Sequence, residues 1–311
     1  MDLKLRIGTR GSPLALAQAR ELKSRLIAAH GGATQAPCGD GVETVVVRTT
    51  GDVILDRALS EAGGKGLFTK ELDLALMRGD IEAAVHSAKD LPTQLPEEIV
   101  ILGYLPREDV RDAWISHKAI HPSGLPEGSV VGTASLRRGA MIRRLRPDLS
   151  VTLLRGNVET RLAKLAAGEV DATMLALAGL KRLGLADAAT AVLDTEQFVP
   201  AAGQGAIAVT ARRGDEAAAE IFAPVLDRDA GYALEAERAF LAVLDGSCRT
   251  PIGAYARLDG GTLSFHALVL KPDGSACFEA RVSGDPKHAA ALGEGAGRDL
   301  LARIPSDLFE F

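Results

Sequence analysis

Short apolar runs alternate with segments of helical periodicity from the start of the chain to about residue 225. The apolar runs that predict strands lie at 3–8, 44–48, 81–85, 99–104, 130–132 and 151–154. Helical spacing follows in a helix that begins at Ser12-Pro13, in another over 67–77, and in helices after Ser135 and Asn157. Residues 172–177 fit a strand and a buried helix equally well. This alternation predicts an α/β fold with mainly parallel sheets.

The chain from residue 225 onward has a different pattern. A helical segment over 230–243 precedes three strand-like segments at 252–258, 262–270 and 276–282, and a further helix begins at about Pro286. The sequences Gly260-Gly261 and Pro272-Asp273-Gly274, which favour tight turns, lie between the strand-like segments. Strands joined by hairpins and flanked by helices predict a separate small α+β domain.

Length and charge exclude several classes of protein. The 311 residues favour two or three domains, since a domain takes roughly 150 residues. The net charge of −5, without a run of like charges, argues against a general nucleic-acid binder. The N-terminal residues 1–6 alternate charged and apolar side chains, and no later segment reaches 18 uninterrupted apolar residues. We therefore expect neither a signal peptide nor a membrane span.

The three cysteines are Cys38, Cys248 and Cys277, and none has a C-x-x-C partner. An odd number of cysteines without a signal peptide indicates free thiols in a reducing cytoplasm, and with scattered histidines we expect no metal site. Cys248 lies in a polar loop and precedes Arg249, whose charge can lower the pKa of a thiol. A lone cysteine is nevertheless more often an inert packed side chain.

Basic residues are concentrated between positions 131 and 165, where only two acidic residues oppose them. They are Arg137, Arg138, Arg143, Arg144, Arg146, Arg155, Arg161 and Lys164. Guanidinium groups beside helix N-termini bind carboxylates or phosphates, and ligands of α/β sheets bind at the carboxyl ends of strands. We therefore expect the arginines at strand ends and helix starts, with Arg10 among them, to bind a polyanion. A solvated helix face is the better interpretation of Arg143, Arg144 and Arg146.

Polar residues crowd the end of the apolar run at 81–85, in the sequence His86-Ser87-Ala88-Lys89-Asp90. Asp90 fits two interpretations equally well: a turn residue that caps backbone amides, or a catalytic carboxylate. His86 by itself is more often a hydrogen-bonded structural histidine than a catalytic one.

Seven motifs follow one another along nearly the whole chain. They are R-I-G-T-R-G-S-P-L-A-L-A-Q at 6–18, G-G-K-G-L-F-T-K-E-L at 63–72, H-S-A-K-D-L-P at 86–92, G-T-A-S-L-R-R at 132–138, L-R-G-N-V-E-T-R-L at 154–162, P-A-A-G-Q-G-A at 200–206 and L-D-G-S-C-R-T-P-I-G at 244–253. Together they closely resemble the porphobilinogen deaminase family. The departures are Ala88 and Leu91, where methionine and valine are common, and they leave the charged positions unchanged.

The resemblance implies a fold of two lobes like those of periplasmic binding proteins, with mainly parallel sheets, plus a small α+β C-terminal domain. The first lobe is expected to be discontinuous and to comprise 1–105 and 200–224. The second lobe is expected at 106–199. The third domain, 225–311, is expected to carry Cys248 on a loop that faces the cleft.

The resemblance also implies an activity, in which porphobilinogen loses ammonia and four units add to a covalent primer before hydrolysis releases hydroxymethylbilane. The primer is a dipyrromethane cofactor joined to Cys248 by a thioether bond. The expected cofactor-binding residues are Cys248, Lys89, Thr133, Ser135, Arg137, Arg138, Arg155 and Arg161. The expected substrate-binding residues are Arg10, Ser12, Lys65, Phe68 and Gln204. Asp90 is the expected catalytic group, because a carboxylate near the ring N–H groups stabilises positive charge and assists proton transfer.

A different class of protein accounts for some of these features. A two-lobed binding protein for a carboxylated metabolite explains the lobes and the arginines, but it gives no reason for Cys248 in a polar loop of a third domain. A phosphate-handling transferase is disfavoured, because Gly63-Gly64-Lys65-Gly66 lacks the G-K-[ST] ending of a phosphate-binding loop. The expected partner is the small molecule porphobilinogen, with no nucleic acid and no membrane, for a monomer in the cytoplasm.

Overall fold

The computed structural model describes residues 5–30, 41–49, 69–244, 250–305 and 308. This part of the chain divides into two compact units. The first unit comprises the described residues up to 108 together with 206–231, and the second comprises 109–205 and the described residues from 232 onward. The first unit is therefore discontinuous in sequence.

One five-stranded sheet, in the order β2-β1-β3-β10-β4, forms the centre of the first unit. Its strands are β1 (Leu5–Arg10), β2 (Val42–Val47), β3 (Ala83–Ser87), β4 (Ile99–Tyr104) and β10 (Ile207–Arg212). Strands β2, β1 and β3 are parallel, whereas β10 pairs antiparallel with both β3 and β4. The helices of this unit include α1 (Pro13–Ala29), α2 (Lys70–Arg78) and α6 (Glu216–Phe222).

The ends of the helices in this unit follow from local sequence. The side chain of Ser12 accepts a hydrogen bond from the Ala15 amide, and Pro13 occupies the first turn of α1, where its missing N–H costs nothing. Gly79 ends α2 with a φ of 75°, the left-handed conformation that glycine adopts without strain. Apolar side chains of β1, β3 and β10 pack with those of α1 in one core, which holds the strand ends in place.

A second five-stranded sheet, in the order β7-β6-β8-β5-β9, lies in the second unit. Its strands are β5 (Asp112–Ser116), β6 (Val130–Gly132), β7 (Ser150–Thr152), β8 (Ala172–Ala176) and β9 (Ala191–Val192). Again three neighbouring strands are parallel, and β5 runs antiparallel to β8 and β9. The helices are α3 (Leu136–Leu145), α4 (Val158–Ala166) and α5 (Leu177–Arg182). The two sheets thus share one strand arrangement.

The second unit also contains a three-stranded antiparallel sheet in the order β11-β12-β13. The strands are β11 (Ile252–Asp259), β12 (Thr262–Leu270) and β13 (Cys277–Gly284), and the neighbouring helices are α7 (Arg228–Val243) and α8 (Ala289–Arg303). Gly260 and Gly261 join β11 to β12 with φ angles of 54° and 83°, because a two-residue hairpin turn of type I′ requires positive φ at both positions. Phe240 of α7 meets Phe265 of β12 edge-on, with ring centroids 5.4 Å apart.

The predicted fold class is confirmed: two α/β sheets and a small α+β part near the C-terminus. The sequence predicted mainly parallel sheets, but each five-stranded sheet is mixed. Two of the four strand pairings in each sheet are parallel and two are antiparallel. The antiparallel pairings come from β5 and β10, which the sequence analysis did not identify as strands. Each is the first strand after the chain passes from one unit to the other, and each enters its sheet in the opposite direction.

Two further predictions concern boundaries. The segment 172–177 is a strand up to Ala176 and a helix from Leu177 onward. The compact units change at 108/109, 205/206 and 231/232, and the division into three domains stays a prediction. Within the described ranges, no helix is both long enough and apolar enough to cross a membrane.

Candidate ligand-binding and catalytic site

The parallel pairing of β1 with β3 brings predicted site residues to one edge of the first sheet. The register pairs Gly8 of β1 with Ala84 of β3, so Arg10 and His86 each follow two residues later towards the carboxyl edge, and Lys89 and Asp90 come after β3 at that edge. Ser12 begins α1 two residues after Arg10. Ligands of α/β sheets bind at this edge, so the position suits a binding role.

Asp90 ends a short 3₁₀ turn over Ala88–Asp90 and is half-buried. Its carboxylate makes no hydrogen bond or ion pair with another described residue, so the backbone-capping interpretation has no support there. A half-buried carboxylate of this kind is accessible to a ligand. The catalytic role of Asp90 stays a prediction.

His86 is a buried structural side chain. Its Nε2 lies 3.0 Å from Oγ1 of Thr210 on the neighbouring strand β10. Burial, with a smaller contribution from the charge of Arg10, lowers the pKa of His86 to about 4. The imidazole is therefore neutral at neutral pH, in keeping with the structural interpretation of this residue.

In the second unit, four of the predicted residues lie in the turn between β6 and α3 and in the first turn of α3. Oγ1 of Thr133 accepts a hydrogen bond of 3.1 Å from the Ser135 amide, and the Ser135 side chain caps α3 by accepting from the Arg138 amide. Arg137 and Arg138 therefore project from the first turn of α3, and both side chains are buried.

One buried carboxylate, which the sequence analysis did not single out, binds both guanidinium groups. Oδ2 of Asp112 accepts a hydrogen bond of 2.7 Å from Nη2 of Arg137, and Oδ1 accepts from Nη2 and Nε of Arg138 at 2.7 and 3.1 Å. Although burial opposes ionisation, the two guanidinium groups hold the pKa of Asp112 well below its ordinary value. The sequence did carry a signal for this residue, since Asp112 is an acidic residue at the start of the apolar segment 112–116. An acidic residue in such a segment is buried on folding, and a buried charge requires a partner.

Gln204, predicted to bind substrate, is buried in the same cluster. Its Nε2 donates to Oδ1 of Asp112 at 2.8 Å and to the Val110 carbonyl at 2.7 Å. Its Oε1 lies 3.5 Å from Nη2 of Arg138. The amide therefore supports the carboxylate, and its predicted contact with substrate stays a prediction.

Arg155 lies in the turn after β7, and Arg161 lies in the first turns of α4, the helix that follows. The Thr133 amide donates to the Thr152 carbonyl at 2.9 Å, which brings the start of this turn to the same edge as the β6–α3 turn. Gly156 has a φ of 121°, and its carbonyl accepts a hydrogen bond of 2.9 Å from Nε of Arg161. Both arginine side chains are half-buried at the edge of the sheet.

Cys38, Lys65, Phe68 and Cys248 lie outside the described residues. Cys277 on β13 is half-buried, and burial raises the pKa of its thiol to about 11. It is therefore protonated at neutral pH and a poor nucleophile. The residues that the structure describes contain no group of three or more His, Cys, Asp or Glu side chains able to hold a metal ion.

The chain is thus an α/β protein in which each five-stranded sheet carries charged side chains at the edge where its parallel strands end, the edge at which α/β proteins commonly bind ligands. Residues 5–220 match the family described as porphobilinogen deaminase, dipyromethane cofactor binding domain, and residues 232–302 match porphobilinogen deaminase, C-terminal domain. The chain is 53% identical over 308 residues to the porphobilinogen deaminases of Nitrobacter hamburgensis and Nitrobacter winogradskyi, which covers 99% of this chain and 96% of each relative. The chain belongs to the porphobilinogen deaminase family.

Among solved structures, a YaeC-family lipoprotein from Enterococcus faecalis covers 73% of this chain and 92% of its own, with a TM-score of 0.40 and 12% identity. A periplasmic substrate-binding protein of an ABC transporter from Coxiella burnetii covers 71% of this chain and 91% of its own, with a TM-score of 0.41 and 14% identity. Likenesses of this size carry no argument about function.

Proposed function

We propose that this protein catalyses the porphobilinogen deaminase reaction. It condenses four molecules of porphobilinogen, with loss of ammonia, onto a covalent dipyrromethane primer and then releases hydroxymethylbilane by hydrolysis. The observation that carries the proposal is a set of basic side chains at strand ends in a chain that belongs to this family over nearly its whole length.

The basic side chains suit the charge of the substrate. Porphobilinogen carries an acetate and a propionate, so negative charge accumulates with each addition. Guanidinium groups bind carboxylates through two parallel hydrogen bonds, and helix N-termini add partial positive charge. Arg10 and Ser12 of the first unit are proposed to bind the substrate, together with Lys65, Phe68 and Gln204.

The surroundings of Arg137 indicate whether the described residues fit the dipyrromethane cofactor that the family description names. Its Nε is buried and has no hydrogen-bond partner among the described residues. A buried cationic donor in that position fits an anionic group of a ligand. The residues proposed to hold the cofactor are Lys89, Thr133, Ser135, Arg137, Arg138, Arg155 and Arg161, with the covalent bond at Cys248. When bound, the cofactor supplies a pyrrole with a free α-carbon to which new units are added.

Asp90 is proposed as the catalytic carboxylate. It lies at the carboxyl edge of β3, is half-buried, and has no hydrogen bond or ion pair with another described residue. Its carboxylate binds the pyrrole N–H of the substrate and stabilises the positive charge that develops on the ring as ammonia leaves. A preorganised group of this kind contributes about 3–4 kcal/mol to the stability of a transition state.

Intact-mass spectrometry and peptide mapping after incubation with porphobilinogen test this function. We expect one dipyrromethane on Cys248 and release of ammonia during turnover. Cys248→Ser is expected to stay unmodified, whereas Cys277→Ser, the control at a half-buried protonated thiol, is expected to load normally. A bare Cys248 in protein that turns over substrate would contradict the proposal.

The binding-protein alternative predicts reversible capture of a carboxylated metabolite without release of ammonia. The family match includes the C-terminal domain at 232–302, for which a simple two-lobed binder has no use. We also propose that the protein acts as a monomer in the cytoplasm. Light scattering of the purified chain checks the oligomeric state.

A further inference from the structure

Two buried guanidinium groups of the second unit, those of Arg137 and Arg138, both bind Asp112. Its two oxygens accept four hydrogen bonds, three from Arg137 and Arg138 and one from Gln204. The side chain is fully buried, and no acceptor position of the carboxylate faces solvent. Asp112 therefore acts only through its protein partners.

The partners of this ion cluster are held by the sheet. Strand β5 pairs with β8 on one side and with β9 on the other, so the backbone of Asp112 is fixed within the sheet. Nη1 of Arg138 donates to the Met174 carbonyl of β8 at 3.0 Å, and Nη1 of Arg137 donates to the Val199 carbonyl at 2.8 Å. Each guanidinium group is thus oriented by one ion pair and one backbone carbonyl.

The charges in this cluster do not cancel among the described residues. Two guanidinium groups, whose side chains are 4% and 6% exposed, face one carboxylate that is fully buried. An uncompensated buried charge is costly, and Nε of Arg137 has no hydrogen-bond partner among these residues. One excess positive charge and one open donor together fit a carboxylate supplied by a ligand.

We propose that Asp112 is a positioning residue, which holds Arg137 and Arg138 in the orientation that binds a carboxylate of the pyrrole chain. The proposal rests on the proposed function, because that function supplies the ligand. Asp112 neutralises one of the two guanidinium groups and leaves the excess charge for the ligand. Without it, the two cations repel each other and lose their common anchor.

The expected effect is on turnover more than on substrate capture. The cofactor is held covalently in the proposed function, so misoriented guanidinium groups misalign a group that is already bound. Misplacement by about 1 Å lowers turnover by roughly 100-fold. The Michaelis constant depends more on the edge of the first sheet, where Arg10 is proposed to bind the incoming substrate.

The test compares Asp112→Asn with the wild-type chain and with Asp171→Asn. Asp171 is the matched control, because it is a carboxylate of the same unit that pairs with Lys118 and accepts from the Val130 amide at 2.7 Å, outside the guanidinium cluster. Three quantities are measured: cofactor occupancy by intact mass, kcat per loaded site, and KM. For Asp112→Asn we expect lower occupancy and a fall in kcat per loaded site of roughly tenfold to 100-fold, with KM changed less than about threefold. Asp171→Asn is expected to match the wild-type chain in all three.

Asp112→Asn leaves two buried cations without a counter-ion, so a second variant covers the case in which it does not fold. Gln204→Met keeps both ion pairs and removes the amide that donates to Oδ1 of Asp112 and to the Val110 carbonyl. Because Gln204 is also a proposed substrate-binding residue, a rise in KM marks loss of that contact, whereas a fall in kcat per loaded site marks loss of support for Asp112. It is expected to reduce occupancy and kcat per loaded site in the same direction by a smaller factor. Thermal unfolding confirms that each variant is folded at the assay temperature.

The outcomes separate this inference from the proposed function. If the wild-type chain neither loads cofactor nor releases ammonia, the proposed function is wrong. If the wild-type chain is loaded and active and a folded Asp112→Asn shows normal occupancy and normal kcat per loaded site, the positioning role is wrong. If Asp112→Asn does not fold but Gln204→Met does, normal occupancy and normal kcat per loaded site in Gln204→Met also show that the positioning role of Asp112 is wrong.

Discussion

The two five-stranded sheets carry the same turn at corresponding positions. Strand β1 contains Gly8-Thr9 shortly before the capping Ser12. Strand β6 ends at Gly132, and Thr133 follows it shortly before the capping Ser135. In each sheet this strand is the middle one of the three parallel strands. Local sequence therefore builds the two turns in the same way, and the difference between the sheets lies in their charged groups.

The first sheet keeps its carboxylate accessible, and the second buries one. Asp90 is half-buried and has no hydrogen bond or ion pair with another described residue, and the nearby His86 is kept neutral by burial. Asp112 is fully buried and ionised between Arg137 and Arg138. The comparison teaches that a half-buried carboxylate suits chemistry because part of it stays exposed, whereas a fully buried one with four hydrogen bonds suits positioning.

The largest effect on stability is expected at the buried carboxylate. Asp112→Ala should lower the free energy of unfolding by about 3–5 kcal/mol, because two buried guanidinium groups lose their counter-ion. Asp171→Ala, which removes a partly exposed carboxylate paired with Lys118, should cost about 1 kcal/mol. Urea unfolding measures both losses, and equal losses would show that the fully buried carboxylate stabilises the fold no more than a partly exposed one.

The accessible carboxylate is expected to matter for turnover and hardly for stability. Asp90→Asn should lower kcat by about 100- to 1000-fold, equivalent to about 3–4 kcal/mol, because the neutral amide cannot stabilise a cationic ring. The melting temperature should stay near that of the wild-type chain, because no described residue bonds to this side chain. Near-normal turnover would remove Asp90 from the catalytic role.

Acid should act on the first sheet through His86. In the unfolded chain the imidazole takes up a proton below its ordinary pKa of 6.5, whereas in the folded chain it does so only below about 4. Stability should therefore fall as the pH is lowered from about 6.5 to about 4, by about 3 kcal/mol in all. His86→Gln removes this titration, so its unfolding free energy should depend less on pH over that interval. If the unfolding free energies of the wild-type chain and His86→Gln depend on pH in the same way, His86 is not the group that causes the loss of stability in acid.

The smallest expected effects test the similarity of the turns. Ser12→Ala and Ser135→Ala each remove a side-chain oxygen that accepts a hydrogen bond from a backbone amide at a helix start. Each should lower the free energy of unfolding by about 1 kcal/mol, measured by urea unfolding. Losses that differ by more than about 1 kcal/mol would show that the two turns are not equivalent.

The sequence predicted one set of strands and missed another for a physical reason. Strands β1, β3 and β6 were predicted because each apolar run is followed by a turn or a helix cap. Strand β10 is a nearly continuous apolar run, typical of a strand buried on both faces. Such a run has no alternation of apolar and polar residues, so its pattern alone does not distinguish a strand from a buried helix. The same holds for β5, which precedes a turn-rich segment. Without these two strands, the predicted sheets were mainly parallel.

By itself, the sequence determined the family, the starts of the capped helices and the Gly260-Gly261 hairpin. The motifs at 6–18 and 132–138 carry the family resemblance in linear form. Caps at Ser12 and Ser135 are made between residues three positions apart, so chain connectivity alone brings donor and acceptor together.

Only the tertiary structure decided which charges would be paired. Asp112 lies 25 and 26 positions from the two arginines that it binds, and 92 positions from Gln204. No local pattern encodes these contacts, because they require β5 to enter the sheet beside β8. Burial, which makes a lone charge costly and a paired one tolerable, exists only after the chain has folded around Asp112.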